Sequence, residues 1–390
     1  MQLERQRDNQ QWLLDYLVKV TGRTQNFFDD GRTVPPEVKS YAMIPRALGK
    51  EAAHREAIAR AAESAGHVRT AREAYWLAAD TYREAQHAIF ADDNAQKIRF
   101  WNKVDECYDK VIAYSDYPIE RVEIPFEGRS LAALVHLLPD RRPAPFVLYI
   151  PGMDGTKENA LDPLRNVFLD RGFHVLALDG PGQGSSNLRK IRVTANNYER
   201  AGQAAIDYIA GRPELEGDRI ALVGSSMGTF WGARICALDP RVKACATARA
   251  CWGPKVHIFN QASPRFKQVF MYMAGIHDEP TFDAMADQMT LDGWGPRIHC
   301  PSLLVTGEYD PLTYLEETEA FFEEIAGPKE LWVFENEAHS LGNLKALGGV
   351  HLYGFMLDWL RDALDGRFEP GYRRRVLIPQ GGLGPYSPAE

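Results

Sequence analysis

The sequence has no C-x-x-C pair, and its five cysteines (Cys107, Cys236, Cys245, Cys251, Cys300) are an odd number scattered along 390 residues. That spacing excludes a disulfide framework and the usual zinc-ligand patterns, so no metal and no cofactor is expected. No apolar run approaches the roughly 20 residues that a bilayer span requires, which removes the membrane as a partner. The opening stretch Met-Gln-Leu-Glu-Arg-Gln-Arg-Asp lacks the apolar core of an export signal and points to a cytoplasmic protein. Positive charge is also short: the formal net charge is −8, with no basic footprint for nucleic acid. The Gly, Thr and Lys of 151–158 do not match G-x-x-x-x-G-K-[ST], so a nucleotide-phosphate cradle is not indicated. What remains is an ordinary globular composition, 45% hydrophobic and 25% charged, in a chain long enough for one large core and a smaller domain.

Residues 1–116 read as helical. Trp12, Leu13, Tyr16, Leu17 and Val20 recur at helical spacing, Pro35-Pro36 opens a further segment, and amphipathic patterns follow over 71–90 and 95–112. No repeat of about 34 residues is visible, which argues against a solenoid. Beyond Tyr117-Pro118 the pattern changes to short apolar strands alternating with helices. Strands are expected over 121–125, 131–137, 146–150, 174–178, 220–223, 242–247, 302–306 and 331–334. Helices are expected over 159–171, 198–209, 229–238, 316–325 and 349–364. This alternation predicts an α/β fold: a mostly parallel, doubly wound sheet covered on both faces, with an early hairpin as an antiparallel edge. About fifty residues separate the strands near Ala246 and Ser302, where a few would suffice. Residues 252–297 are therefore assigned as a helical insert, rich in Trp, Phe and Met, of the kind that forms a lid or pocket wall. The expected organisation is a helical domain over 1–116, a core over 117–251 and 298–367, the insert, and a tail over 368–390. The Arg373–Arg375 run in that tail reads as solvated surface.

One stretch carries chemistry. Ile220–Val223 leads into Gly224-Ser225-Ser226-Met227-Gly228 and then a helix, the strand–turn–helix setting of a nucleophile elbow. A Cβ at Gly224 or Gly228 would strike neighbouring backbone in so tight a turn. A serine hydroxyl becomes a nucleophile only when a base takes its proton and a third group orients the base. The expected order of serine, acid and histidine is met by Ser226, by Asp310 just past the strand at 302–306, and by His339 just past the strand at 331–334. Glu308 and His351 are the neighbouring alternatives; the strand is barely ending at Glu308, and His351 falls in the last helical pattern. The backbone N–H groups of Met227 and Met153 are the expected oxyanion donors. Trp252, His257, Phe259 and Phe270 of the insert are the candidate substrate-binding residues. Asp154, Lys157 and the Asp179–Gly184 turn read as loop bracing. A small-molecule substrate is the partner this chemistry implies, and a homodimer is the assembly left open.

With these residues assembled, the chain resembles the α/β-hydrolase superfamily. More narrowly it resembles the group of 2,6-dihydroxypseudooxynicotine hydrolase, fungal heptaketide-shortening hydrolases and fermentation–respiration-switch-type esterases. The resemblance rests on Ala-Ala-Asp-Thr-Tyr (78–82), Lys-Val-Asp-Glu-Cys-Tyr (103–108), Pro-Gly-Met-Asp-Gly-Thr-Lys-Glu (151–158), Asp-Gly-Pro-Gly-Gln-Gly (179–184) and Gly-Ser-Ser-Met-Gly (224–228), and it spans about 60–365. It implies a serine hydrolase whose helical domain and lid roof the site, cleaving an ester or a carbon–carbon bond beside a ketone in aromatic or polyketide substrates. The chain departs from the pattern at the lid entrance. From Gly253 to Ile276 there is no carboxylate, and the stretch offers instead Lys255, His257, Asn260, Gln261, Arg265 and Lys267; His257 or a Tyr of the helical domain is the candidate for a second proton transfer. Hydrolysis, acyl transfer with cyclisation, and a non-catalytic partner-recruiting role are the three readings the sequence leaves.

Overall fold

The computed structural model describes residues 38, 40–262, 264–341 and 344–380, with the backbone of 387–388. The apolar pattern from Trp12 to Val20 and the Pro35-Pro36 start lie outside the described residues. The chain divides into two compact units, one of residues up to Asp116 with 264–272, the other of the remainder.

The first unit contains helices Ile44–Ser64, Val68–His87 and Ala95–Ala113. Gly66, at φ +75°, turns the chain between the first two, a backbone angle that favours glycine. Asn94 caps the third helix, its side-chain oxygen accepting from Gln96 N at 2.9 Å and Lys97 N at 3.1 Å. Tyr75, Ala78, Tyr82 and Ala85 are buried as the helical spacing requires, whereas Leu77 on the same pattern is exposed. Lys97 is also buried. Its Nζ donates to Gln86 Oε1 at 2.7 Å, Ile89 O at 3.0 Å and Gln86 O at 3.1 Å, and burial pushes the ammonium down to about 7.

The second unit is built on a ten-stranded sheet: β1 (Ile119–Phe126), β2 (Arg129–His136), β3 (Ala144–Ile150), β4 (His174–Asp179), β5 (Leu215–Ser225), β6 (Val242–Ala248), β7 (Ser302–Gly307), β8 (Lys329–Phe334), β9 (Arg373–Ile378) and β10 (Ser387–Pro388). Its order is β1-β2-β4-β3-β5-β6-β7-β8-β9-β10. The run from β3 to β9 is parallel, the β1–β2 hairpin is an antiparallel edge, and β10 is antiparallel to β9. Val147, Val175, Ala221, Ala246 and Leu303 cover one face and pack with Met356, Leu357 and Leu360 of the helix Leu352–Leu364. This is the α/β arrangement expected of apolar strands buried on both faces.

Two local readings are corrected and a third is extended. The helix expected over 159–171 shrinks to Val167–Asp170: Asp162 Oδ1 accepts from Leu164 N at 2.8 Å, and Asn166 caps the short helix from its side chain. His351 lies outside the last helix and caps it, Nδ1 accepting from Tyr353 N at 3.2 Å. Arg373–Arg375 is exposed, in keeping with a solvated surface, but it also begins β9, with the guanidinium groups of Arg373 and Arg375 paired to Glu323 and Glu319. Strand pairing on β8 and burial of Val376 and Ile378 outweigh the polar look of the basic run. Within 252–297 the backbone forms a π-helix at Pro254–Gln261, then helices Pro264–Ala274 and Glu279–Ala286.

Candidate active site

β5 ends at Ser225, and Ser226 holds φ +54°, ψ −126° before the helix Met227–Leu238 begins. A non-glycine residue in that region is strained, and only close packing on both sides holds it there. The packing is visible at the flanking glycines: a Cβ on Gly228 would stand 2.1 Å from Ile150 O, and one on Gly224 would stand 2.5 Å from Gly228 O. The turn therefore thrusts the hydroxyl beyond the carboxyl edge of the sheet. β7 ends at Gly307 and β8 at Phe334, so the loops bearing Asp310 and His339 leave the same edge.

The structure brings these three side chains together. Ser226 Oγ lies 2.9 Å from His339 Nε2, and His339 Nδ1 lies 2.8 Å from Asp310 Oδ2. The other carboxylate oxygen of Asp310 accepts from Leu312 N at 2.9 Å. A buried carboxylate facing Nδ1 fixes the tautomer: Nδ1–H donates to Asp310, and the Nε2 lone pair is left to accept the Ser226 hydroxyl proton. Asp310 and His339 are 3% and 6% exposed, so water screens this pair little. Glu308 is committed elsewhere, accepting from Asn336 N at 2.9 Å.

Around the hydroxyl, Gly152 packs so closely that a Cβ there would lie 3.0 Å from Ser226 Cβ, which sets the 151–155 turn carrying Met153 beside the elbow. Met227 is fully buried at the first helical position, its Sδ 3.6 Å from Cys251 Sγ. Burial, then Asp310 and Glu317, pushes the Cys251 thiol well above its usual value, so it stays protonated.

Each of the four insert residues has its own setting. Trp252 donates from Nε1 to Thr318 Oγ1 at 3.1 Å and stacks on Phe321. His257 is buried with both ring nitrogens engaged, Nε2 at 2.6 Å from Glu317 Oε1 and Nδ1 at 3.1 Å from Gln261 Oε1. Phe259 packs edge-on to Phe282, and Phe270 belongs to the first unit. The π-helix is thus fastened through Trp252 and His257 to the helix Leu315–Glu324, which follows Asp310.

Arg249 escaped the sequence reading. At φ +60° it follows β6 directly, donating from Nε to Ser340 O at 2.8 Å and from Nη1 to Ser225 Oγ at 3.2 Å. It therefore ties the residue before Ser226 to the residue after His339. A lone arginine at a strand's end, between Ala248 and Ala250, was its only signal. Lys157 and Asp179, read as bracing, form a closed cluster in the same rim: Lys157 Nζ lies 3.1 Å from Asp179 Oδ2 and 2.5 Å from Glu158 Oε1, and donates to Ser185 Oγ at 2.8 Å.

Comparison with known proteins addresses the family and the fold. The chain is 31% identical over 253 residues to the α/β hydrolase xenA of Xenoacremonium sinensis, covering 61% of this chain and 58% of that relative. The chain thus spans less than two thirds of that fungal relative's length. It is 28% identical over 305 residues to the 2,6-dihydropseudooxynicotine hydrolase of Paenarthrobacter nicotinovorans, covering 77% and 78% of the two chains. The crystal structure of the 2,6-dihydroxy-pseudo-oxynicotine hydrolase superposes with a TM-score of 0.73 at 23% identity, over 93% of this chain and 98% of that one, a likeness of fold. A family model described as esterase FrsA-like matches residues 53–291. On that match, and on an elbow held at the carboxyl edge of a parallel sheet, the chain belongs to the FrsA-like esterase family of α/β-hydrolases.

Proposed function

We propose that this protein is a serine hydrolase that works through an acyl-enzyme on a bulky aromatic or polyketide-like carbonyl substrate, cleaving a carbon–carbon bond beside a ketone or an ester. The observation that carries the reading is the unbroken Ser226–His339–Asp310 path, with both links inside hydrogen-bond range. Ser226 Oγ attacks the carbonyl carbon while its proton passes to His339 Nε2. Asp310 balances the imidazolium that forms. The oxyanion is met by the N–H groups of Met227 and Met153, the first at a helix N-terminus whose dipole favours negative charge. The proton on Nε2 then goes to the leaving oxygen or carbon. Water, deprotonated by the same imidazole, releases the acyl group.

A carbon leaving group needs that proton more than an alkoxide does. His257, the second proton donor considered from sequence, has both nitrogens occupied, which leaves delivery to His339. In this reading the insert is a lid over the site, and its aromatic content suits a flat, apolar substrate. The family description as esterase favours ester cleavage as the second form of the same chemistry. Turnover of aryl esters against aryl β-diketones, beside Ser226→Ala, tests both. Wild type is expected to turn over at least one class and to take up a serine-directed phosphonate that the variant refuses; equal labelling of the two proteins sinks the proposal.

A further inference from the structure

A second concentration of chemistry lies at the opposite, amino-terminal edge of the sheet. Cys236 stands near the end of the helix Met227–Leu238, Cys300 two residues before β7, and Cys245 inside β6 beside it. The residue paired with Cys245 is Ser302, so the three cysteines, distant in sequence, meet at one corner of the second unit. Cys236 and Cys300 line one and the same cavity at this corner. Cys300 is half-buried, and the other four cysteines are buried. A cavity of about 490 Å³ opens here, lined by Cys236 and Cys300 and, as its charged or titratable groups, by Lys243, Arg297 and His299; no carboxylate lines it. Cys236 beside it holds the Cys300 thiol below its usual value, against the effect of burial, while the Ser302 hydroxyl donates to the Cys300 carbonyl oxygen at 3.0 Å. The same cluster, with Cys245 and Cys300 as the leading causes, pushes Cys236 well above. Such a pair has one thiol readied as nucleophile and one held in reserve. The proposed catalysis uses none of these groups.

We propose that this cavity is a redox-modification site, where a small disulfide bearing carboxylates reacts at Cys300 and Cys236 then closes a Cys236–Cys300 bond. In the first step the Cys300 thiolate attacks one sulfur of RS–SR. The reagent's S–S bond breaks, RS⁻ departs to be protonated by water, and a Cys300–S–S–R mixed disulfide remains. In the second step Cys236 gives its proton to solvent and attacks the Cys300 sulfur, expelling the second RS⁻. Two cysteine thiols are oxidised, and one reagent disulfide is reduced to two thiols. The basic lining selects the reagent: Arg297 attracts carboxylates and repels cations, and Lys243, now paired with the exposed Asp218 at 3.1 Å, can exchange that partner for a reagent carboxylate. The bond would tie the far ends of two elements whose near ends lead to Ser226 and Asp310.

Oxidised glutathione supplies the probe, applied to the full native chain and followed by peptide mass spectrometry. Wild type should yield one linked pair of peptides, joining Cys236 to Cys300. Cys236→Ser should stop at a single glutathione adduct on Cys300, and Cys245→Ser should still form the bridge. Cys300→Ser, or Cys300→Ala if serine disturbs the corner, should slow modification by at least about tenfold. Retained aryl-ester turnover or an unchanged melting curve shows that a variant is folded. Adducts on Cys107, Cys245 or Cys251, a bridge unaffected by Cys236→Ser, or thiols that react only after denaturation would each overturn the proposal. So would equal reaction with an uncharged disulfide such as hydroxyethyl disulfide.

Discussion

Two buried polar clusters share the carboxyl edge of the sheet, and they differ in where their hydrogen bonds end. In one, Asp310 and His339 lead outward to the half-buried hydroxyl of Ser226. In the other, Lys157 Nζ is enclosed by Asp179, Glu158 and Ser185, while the Asp179 carboxylate also accepts from Lys157 N at 2.7 Å and Ser185 N at 2.9 Å. Burial pushes Asp179 above the usual carboxylate range despite Lys157 beside it. Both clusters hold desolvated carboxylates at strand ends, so burial by itself does not mark a reacting group. The first ends on the half-buried hydroxyl of Ser226, an atom at the open rim; the second fastens loops to each other, with Arg121 at its margin 3.7 Å from Glu158 Oε1.

Breaking the first cluster should abolish chemistry and spare the fold. Ser226→Ala or His339→Ala is expected to lower turnover by about 10⁴–10⁶-fold with an unchanged urea midpoint. Asp310→Asn should cost about 10⁴-fold, because an amide no longer selects the useful imidazole tautomer. Breaking the second cluster should do the reverse. Lys157→Met strands the Asp179 carboxylate in the interior and leaves Glu158 only Arg121 at 3.7 Å, and chemical denaturation should register a loss of about 3–5 kcal/mol. If that variant instead keeps its stability and loses turnover, Lys157 belongs with the chemistry and the contrast collapses.

Arg249 sharpens the comparison because it touches the loops but no reacting atom. Arg249→Leu should reduce kcat by about 10–100-fold through a looser Ser226–His339 approach, with KM little changed. A smaller effect, on stability alone, should come from His136. It is fully buried, Nδ1 facing Tyr117 Oη and Asn166 Nδ2, each at 3.2 Å, and burial pushes it down to about 3. The unfolded chain takes up a proton as pH falls through about 6.5, while the folded chain refuses it until near 3. Stability should therefore fall below about pH 6.5, by up to about 1.4 kcal/mol per pH unit from this residue. Urea midpoints of wild type and His136→Gln between pH 7 and 5 should diverge in that direction; parallel curves would refute it.

Much of the second unit was legible because apolar strands buried on both faces write their positions directly into sequence. The expected ranges for β3, β4, β6, β7 and β8 lie within a few residues of the structure. β9 was not legible, since Arg373–Arg375 reads as solvent-facing and only pairing with β8 makes it a strand. The helix expected over 159–171 failed for the converse reason: its composition suits a helix, but Asp162 and Asn166 satisfy the backbone in turns instead. Trp252 and His257 stood out by type as residues of the insert. Their fastening to Thr318 and Glu317 depends on a helix some sixty positions later, as both pairings are 60 or more residues apart.

By itself the sequence determined the α/β alternation and the elbow, because strand period, glycine placement and residue order along a wound sheet are local properties. Only tertiary structure decided which atoms meet. The 2.8 and 2.9 Å links through His339, the bridge made by Arg249 and the meeting of Cys236 with Cys300 all join segments far apart in the chain. The physical reason is that a hydrogen bond requires sub-ångström placement, which packing of the whole sheet supplies and no local pattern encodes.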